Sequence, residues 1–295
     1  MRYFFFSIFL LIFACPAYCI ETEEPLTIML DWSINPNHAV LIVGQHYHFF
    51  EKHGLKVNLI SPADPTDPPK FAAAGKVDLA LTYEPHWILQ KRQGLSVVWA
   101  ATLINRPLLA IITNVKIKSL KDLKNQPVAY SMGGADELFF HTILERVGLN
   151  LNQVTLVNVH YSTLQALAAG KVMAIADAMR NVEPFILQEK KISYHMFYPE
   201  DYGVPQYAEL IFVTRPGLLH TKKLESFIAA LQESTLYLKQ HPEESWQAFV
   251  KDYPELNNRM NHQSWLMTVP YFDATPGVFD QKQYKKLKDY IESFK

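Results

Sequence analysis

The segment Phe71–Asp78 (FAAAGKVD) recurs in altered form at Leu167–Met173 (LAAGKVM), and this echo decides the fold. In both copies a short helical stretch ends at a glycine, and a Lys-Val pair then opens an apolar, strand-like run. Two copies that lie so far apart along the chain are too few for a solenoid, whose repeats follow one another directly. The echo therefore predicts two similar lobes rather than one repetitive array.

Strands and helices alternate around both copies of the echo. The segment 39–51 has helix length, with Val40, Val43, Tyr47 and Phe50 on one face. Such alternation is typical of βαβ units in a mostly parallel sheet, so we predict an α/β fold with two α/β lobes. Apolar runs of strand length occur at 26–30, 56–60, 78–82 and 97–103 in the first half, and at 127–131, 154–159 and 172–176 in the second.

Two further apolar runs, 108–113 and 210–214, flank the second half and are interpreted as crossings between the lobes. The helical segment 222–238 carries an apolar stripe, as expected of a helix that packs on the core of lobe one. A separate helical interaction domain is the alternative interpretation of this tail. The predicted organisation is 20–113 for the first part of lobe one, 114–210 for lobe two, and 211–295 for the return strand and helical tail of lobe one.

Composition limits the classes of function. The 295 residues include 28 Lys plus Arg and 29 Asp plus Glu, which gives a formal net charge of −1. Nucleic-acid binding needs a basic surface, so this balance disfavours it. The 18 prolines and 11 glycines follow no period, which excludes collagen-like chains. We expect a globular protein that is long enough to bury a substantial core.

Residues 1–19 are interpreted as a secretory signal peptide, with Arg2 before an apolar stretch and a small-residue cleavage site at 17–19. Two alternatives stay open: an uncleaved anchor, for which the apolar stretch is short, and lipid attachment at Cys15. The chain's two cysteines, Cys15 and Cys19, both lie in this segment, so cleavage after Cys19 leaves no thiol. The prediction is an exported, periplasmic protein whose fold uses no disulfide.

Polar and aromatic side chains follow the predicted strands, where open α/β sheets bind their ligands. Trp32 and Asn37 follow the first strand, and Tyr83, Glu84 and His86 follow the third. Trp32 offers a flat face to a planar ligand. The alternatives are a Trp32 buried in the core, an Asn37 that caps a helix, a Glu84 that satisfies a helix start, and a surface His86.

The second lobe repeats this pattern after the strand at 172–176. Asn181 and Glu183 follow that strand, and Glu183 precedes a proline as Glu84 does. The glycine-containing loop 131–136 offers backbone N–H groups to an anion but lacks the lysine of a nucleotide-binding loop. Histidines near the first helix, at 38, 46, 48 and 53, have no spacing that would bring them together on a metal. We expect neither a metal nor a cofactor.

Several short segments of the sequence together resemble a known family. Four parts of the sequence carry the resemblance: Leu30-Asp31-Trp32 with Asn37-His38, the proline-rich segment 62–68, the segment 75–80 (GKVDLA) and the segment 201–210 (DYGVPQYAEL). Together they are similar to the thiamine-precursor pyrimidine-binding family. Its bacterial members are substrate-binding proteins of ABC importers for formylaminopyrimidine, and its fungal members are thiamine pyrimidine synthases of the same fold. The resemblance covers roughly residues 26–215.

The resemblance implies a type II periplasmic binding protein fold, with a ligand held between the lobes. It implies a monomeric, non-enzymatic protein that captures an aminopyrimidine of the formylaminopyrimidine or hydroxymethylpyrimidine type and delivers it to an ABC permease in the inner membrane. The expected binding residues are Trp32 with Tyr83 or Tyr207 for stacking, Glu183 with Glu84 or Glu209 for the exocyclic amine, and Asn37, His86 and Asn181 at the rim or on the ring substituent.

The resemblance also implies a rival. The fungal synthase consumes its own histidine and holds pyridoxal phosphate on a lysine four residues earlier. His86 matches that histidine, but Thr82 stands at the lysine position, and the synthase's cysteine-rich run is missing from 196–215. A further alternative is another planar solute in the same fold, such as a sulfonate or a riboflavin-like ring.

Overall fold

Two five-stranded sheets carry the fold in the computed structural model, which describes residues 23–294; the predicted signal peptide and Cys15 lie outside the described residues. The strands are β1 (Glu24–Met29), β2 (Leu55–Ile60), β3 (Leu79–Thr82), β4 (Val98–Ile104), β5 (Leu109–Asn114), β6 (Pro127–Tyr130), β7 (Thr155–Asn158), β8 (Ala174–Met179), β9 (Tyr194–Phe197) and β10 (Leu210–Thr214). The helices are α1 (Ala39–His46), α2 (Phe49–Lys52), α3 (Pro68–Ala73), α4 (Glu84–Arg92), α5 (Ala135–Arg146), α6 (Thr163–Ala168), α7 (Glu183–Glu189), α8 (Lys222–Gln240), α9 (Pro242–Asp252), α10 (Arg259–Thr268) and α11 (Gln281–Glu292).

The two sheets have the same topology. Lobe one has the order β2-β1-β3-β10-β4 and lobe two the order β7-β6-β8-β5-β9. In each sheet the first three strands are parallel, and the fourth runs antiparallel to both of its neighbours. The antiparallel strand is the one that enters from the other lobe. The predicted α/β fold with two similar lobes is therefore confirmed.

The chain crosses between the lobes twice. The first crossing joins β4 to β5 through residues 105–108, and the second joins β9 to β10 through residues 198–209. The apolar run at 108–113 forms β5 itself, which pairs with β8 and β9 of lobe two. The predicted boundary at residue 113 thus falls near the end of a lobe-two strand.

The echo in the sequence falls on matching elements of the two lobes. The first copy spans α3 and the entry to β3, and the second spans α6 and the approach to β8. β3 and β8 occupy the third position of their sheets. Gly75 and Gly170 follow the two helices with φ of 68° and 67°, a left-handed conformation that ends a helix and suits glycine.

Two local features differ from the sequence prediction. The helix expected over 39–51 is divided into α1 and α2, because His48 adopts a left-handed conformation with φ of 58°. β9 was not predicted, since its four residues are all half-buried and form no distinct apolar run.

The helical tail packs on lobe one. Phe227 of α8 stacks on Phe50 of α2 with ring centroids 6.1 Å apart, and both are fully buried. α11 packs against α4, where Leu287 and Ile291 are buried beside Trp87. Within residues 23–294, no helix is both long and apolar enough to span a bilayer.

Candidate functional site

A cavity lies between the lobes, at the carboxyl ends of their parallel strands. Lobe one and lobe two both contribute to its wall, as expected where two open α/β sheets face each other. Its volume is about 80 Å³, which is below the roughly 300 Å³ or more of typical ligand pockets. The lining residues are Asp31, Trp32, Asn35, Asn37 and Tyr83 of lobe one, and Ser131, Thr163, Asp177, Met179, Val182 and Glu183 of lobe two.

An aromatic contact joins the two lobes at Trp32, which lines the cavity. Trp32 follows β1, and Tyr161 lies in a short helical turn before α6. Their ring centroids are 4.1 Å apart, and the planes are inclined at 77°. Both rings are half-buried, so each keeps apolar surface on which a flat ligand can pack once the lobes part.

A hydrogen-bonded network holds the lobe-one wall. The Asp31 carboxylate accepts from the Tyr83 hydroxyl at 2.8 Å and from Nε2 of His38 at 2.9 Å. Since the Asn35 N–H donates to Nδ1 of His38, the histidine proton lies on Nε2 and points to Asp31. Burial, and then the charge of Asp31, raises the pKa of Tyr83 well above its ordinary value. Both oxygens of Asp31 are thus occupied, and the Tyr83 hydroxyl is held as a donor.

Asn37 and Asn181 join the lobes beside the cavity. The Asn181 side-chain N–H₂ donates to Oδ1 of Asn37 at 2.6 Å and to Oγ1 of Thr268 in α10, also at 2.6 Å. Asn181 is fully buried, and Asn37 is 4% exposed. The helical cap that was the alternative role of Asn37 is provided by Asn35, whose side chain accepts from the Asn37 N–H.

Two carboxylates, Asp177 and Glu183, belong to the lobe-two wall. Oε2 of Glu183 accepts from the Met179 N–H at 2.9 Å, and burial raises the pKa of Glu183 to about 7. Asp177 lies in β8, and burial, followed by the charge of Asp136, raises its pKa to about 6. Sequence reasoning did not select Asp177, although it directly follows the predicted strand at 172–176, as the chosen residues follow theirs.

Five predicted site residues do not line the cavity: Asn181, which lies beside it, His86, and the three residues Glu84, Tyr207 and Glu209. Glu84 is 3% exposed and accepts from the Ala208 N–H at 2.8 Å, and it lines a separate cavity of about 580 Å³ on lobe one. Tyr207 packs in the core against Phe139, with ring centroids 5.3 Å apart. Glu209 accepts from the Leu108 N–H at 2.5 Å and the Leu109 N–H at 3.2 Å. Glu84 and Glu209 thus accept hydrogen bonds from backbone N–H groups, and Tyr207 packs in the core. None of the three lines the cavity.

His86 takes part in an ion pair between the lobes. Its Nε2 lies 3.1 Å from Oδ1 of Asp136 at the start of α5, and both side chains are largely buried. Burial disfavours the charged imidazole, but Asp136, Asp177 and Glu209 together outweigh this effect and raise the pKa of His86. His86 does not line the cleft cavity. In the part of the chain that the structure describes, no group of three His, Cys, Asp or Glu side chains is placed to hold a metal ion.

Two lobes of equal topology, two crossings and a cavity between them define the periplasmic binding protein fold. Among solved structures, the periplasmic aliphatic sulphonate-binding protein SsuA from Escherichia coli shares this fold, with a TM-score of 0.71 over 92% of this chain and 86% of that one. The identity of the two sequences is 14%, so this likeness concerns the fold.

The chain belongs to the NMT1/THI5-like family, whose model matches residues 35–245. A Haemophilus influenzae protein assigned by name to thiamine biosynthesis is 41% identical over 99% of this chain and 93% of its own length. A formylaminopyrimidine-binding protein from Halalkalibacterium halodurans is 29% identical over 80% of this chain and 73% of its own. A Legionella pneumophila 4-amino-5-hydroxymethyl-2-methylpyrimidine phosphate synthase is 24% identical over 92% and 87%. The family resemblance noted in the sequence is confirmed.

Proposed function

We propose that this protein captures an aminopyrimidine precursor of thiamine between its lobes and releases it chemically unchanged. The observation that supports this most directly is the make-up of the cavity wall. It combines two aromatic rings, Trp32 and Tyr83, with three carboxylates, Asp31, Asp177 and Glu183, and includes no Lys or Arg among the described residues that line it. A flat ring that carries N–H donors complements such a wall.

Binding follows from stacking and hydrogen bonding. The heterocycle packs on Trp32 and Tyr83, and its exocyclic amine donates to the carboxylates of lobe two. A hydrogen bond to a charged group contributes about 1.5–3 kcal/mol. With about ten heavy atoms at up to ~1 kcal/mol each, submicromolar affinity is within reach of binding alone. Closure then excludes water, which strengthens these hydrogen bonds.

Delivery to an ABC permease of the inner membrane completes the proposal. The fold shared with a periplasmic binding protein supports a role in capturing a solute, and the formylaminopyrimidine-binding protein of Halalkalibacterium supports the class of ligand. Export rests on residues 1–19, with lipid attachment at Cys15 as the alternative form. The permease would recognise the closed arrangement of the two lobes, because closure distinguishes the ligand-bound protein from the ligand-free one.

A synthase of the fungal type is the second candidate, favoured by the Legionella relative. The residues that line the cleft cavity do not fit pyridoxal phosphate. Thr82 is buried in β3 at the place of the required lysine, and no lysine lines the cleft cavity within residues 23–294. His86 is held by Asp136 outside that cavity. A sulfonate is also disfavoured, because an anion would meet three carboxylates there with no cation to balance them.

Titration calorimetry of the mature protein with formylaminopyrimidine and hydroxymethylpyrimidine tests the proposal. We expect binding at micromolar concentration or tighter, and an unmodified ligand recovered from the complex by mass spectrometry. No heat from either compound, together with tight binding of another solute, would refute it. Incubation with pyridoxal phosphate and iron separates the synthase: the mass of the peptide that contains His86 should not change.

A further inference from the structure

Asp177 is held rigidly on one side of its carboxylate. Its Oδ2 accepts hydrogen bonds from the Ser131 N–H at 2.6 Å, from Oγ of Ser131 at 2.6 Å and from the Met132 N–H at 3.2 Å. Two of these donors belong to the backbone that follows β6, so the orientation of the carboxylate is set by the neighbouring strand. Lobe two itself therefore fixes the position of the second oxygen, Oδ1, in a residue that lines the cavity.

The other oxygen, Oδ1, is buried and has no hydrogen-bond partner. Buried polar atoms in proteins are nearly always paired, so such an atom needs an explanation. Across the described part of the chain, other side chains also contain unpaired buried atoms, but Asp177 is the one among them that lines the cleft cavity. By contrast, both oxygens of Asp31 on the opposite wall already have donors.

We propose that Oδ1 of Asp177 is the atom that selects the ligand, by accepting a hydrogen bond from an N–H group on the heterocycle. This inference rests on the proposed function and names the group within the site that sets its specificity. A ligand with an amino group at this position satisfies the unpaired oxygen. A ligand of the same shape with a carbonyl oxygen there places two acceptors against each other, and a site built in this way rejects it strongly.

The three donors to Oδ2 make a sharp test possible. In Asp177→Asn the amide oxygen should take the place of Oδ2, because only an acceptor can receive the three hydrogen bonds from Ser131 and Met132. The amide N–H₂ then stands where Oδ1 stood. A nearly isosteric substitution thus turns the acceptor proposed to meet the ligand into a donor. The binding preference of the protein should therefore shift from a ligand with an amino group to one with a carbonyl group at this position.

The experiment compares 4-amino-2,5-dimethylpyrimidine with the corresponding 4-pyrimidinone by titration calorimetry. The wild-type protein should bind the amino compound at least tenfold more tightly. In Asp177→Asn the affinity for the amino compound should fall at least tenfold, that for the pyrimidinone should not fall, and the preference should disappear or reverse. Asp201→Asn, which removes an exposed carboxylate of the same kind, should keep the wild-type ratio.

The outcomes separate this inference from the proposed function. A wild-type protein that binds neither compound overturns both. A wild-type preference that persists unchanged in Asp177→Asn overturns the selection by Asp177 alone. Should that variant fail to fold, a crystal structure of the wild-type complex decides: a ligand nitrogen within about 3.2 Å of Oδ1 is expected, and a ligand amine that contacts only Glu183 contradicts the inference.

Discussion

Replacement of Glu209 by glutamine should stabilise the protein at alkaline pH. Glu209 is 2% exposed and directly precedes β10. Its carboxylate accepts hydrogen bonds from the N–H groups of Leu108, in the first crossing, and Leu109, at the start of β5. One carboxylate thus joins the two crossings between the lobes. Burial raises the pKa of this group from 4.5 to about 7, so its charged form is disfavoured in the folded state.

The magnitude follows from that shift. At about 1.36 kcal/mol per pH unit, a rise from 4.5 to about 7 corresponds to roughly 3 kcal/mol. Above pH 7 the carboxyl is ionised in both states, and the folded state bears the full cost of the buried charge. Below pH 4.5 it is protonated in both states and the cost vanishes. The free energy of unfolding contributed by this group therefore falls as pH rises from 4.5 to 7.

Glutamine keeps an oxygen that can accept from Leu108 and Leu109 but carries no charge. Urea unfolding of the ligand-free protein should show Glu209→Gln more stable than the wild type by up to roughly 3 kcal/mol at pH 8 and nearly equal to it at pH 4.5. The exposed control Glu255→Gln should change neither value appreciably. A loss of stability at pH 8, or a gain of equal size at both pH values, would show that the buried charge is not what the substitution removes.

Three further substitutions test the cleft itself. Glu183→Gln should weaken aminopyrimidine binding tenfold or more in calorimetry at pH 8, and unchanged affinity would remove Glu183 from the site. Trp32→Ala removes the ring that meets Tyr161, and a loss of affinity of about tenfold is expected; a loss below twofold would exclude stacking at this position. Asn181→Ala deletes the amide that donates to Asn37, which should lower the free energy of unfolding by about 1–3 kcal/mol in urea titrations; an unchanged midpoint would contradict that contact.

Much of the fold could be predicted because most strands are buried on both faces. All residues of β3 and β10 are buried, and such strands form continuous apolar runs that sequence inspection detects. β9 escaped prediction because its four half-buried residues, Tyr194–Phe197, form no distinct apolar run. The division of the first helix at His48 depends on a single left-handed residue, which the apolar pattern does not reveal.

The site was predicted less completely, and two Glu-Pro pairs show why. Glu84 and Glu183 begin α4 and α7 after equivalent strands, so their local sequences predict the same role. Only Glu183 lines the cleft cavity, whereas Glu84 accepts a hydrogen bond from Ala208 of the second crossing. That partner lies 124 residues further along the chain. Local sequence places a side chain at a strand end, but the path of a distant segment decides whether a ligand can reach it.

The small size of the cleft cavity connects these contacts to function. Three pairs hold the lobes together beside it or across it, namely Trp32 with Tyr161, Asn37 with Asn181, and His86 with Asp136. Under the proposed function, a ring ligand that enters separates the aromatic pair, and its own faces and N–H groups then replace the contacts that it breaks. Ligand binding and lobe closure therefore depend on the same residues. A fold shared with a sulphonate-binding protein does not decide the ligand. Under the proposed function the acidic, aromatic wall does so, because it favours a ring that carries N–H donors and disfavours an anion.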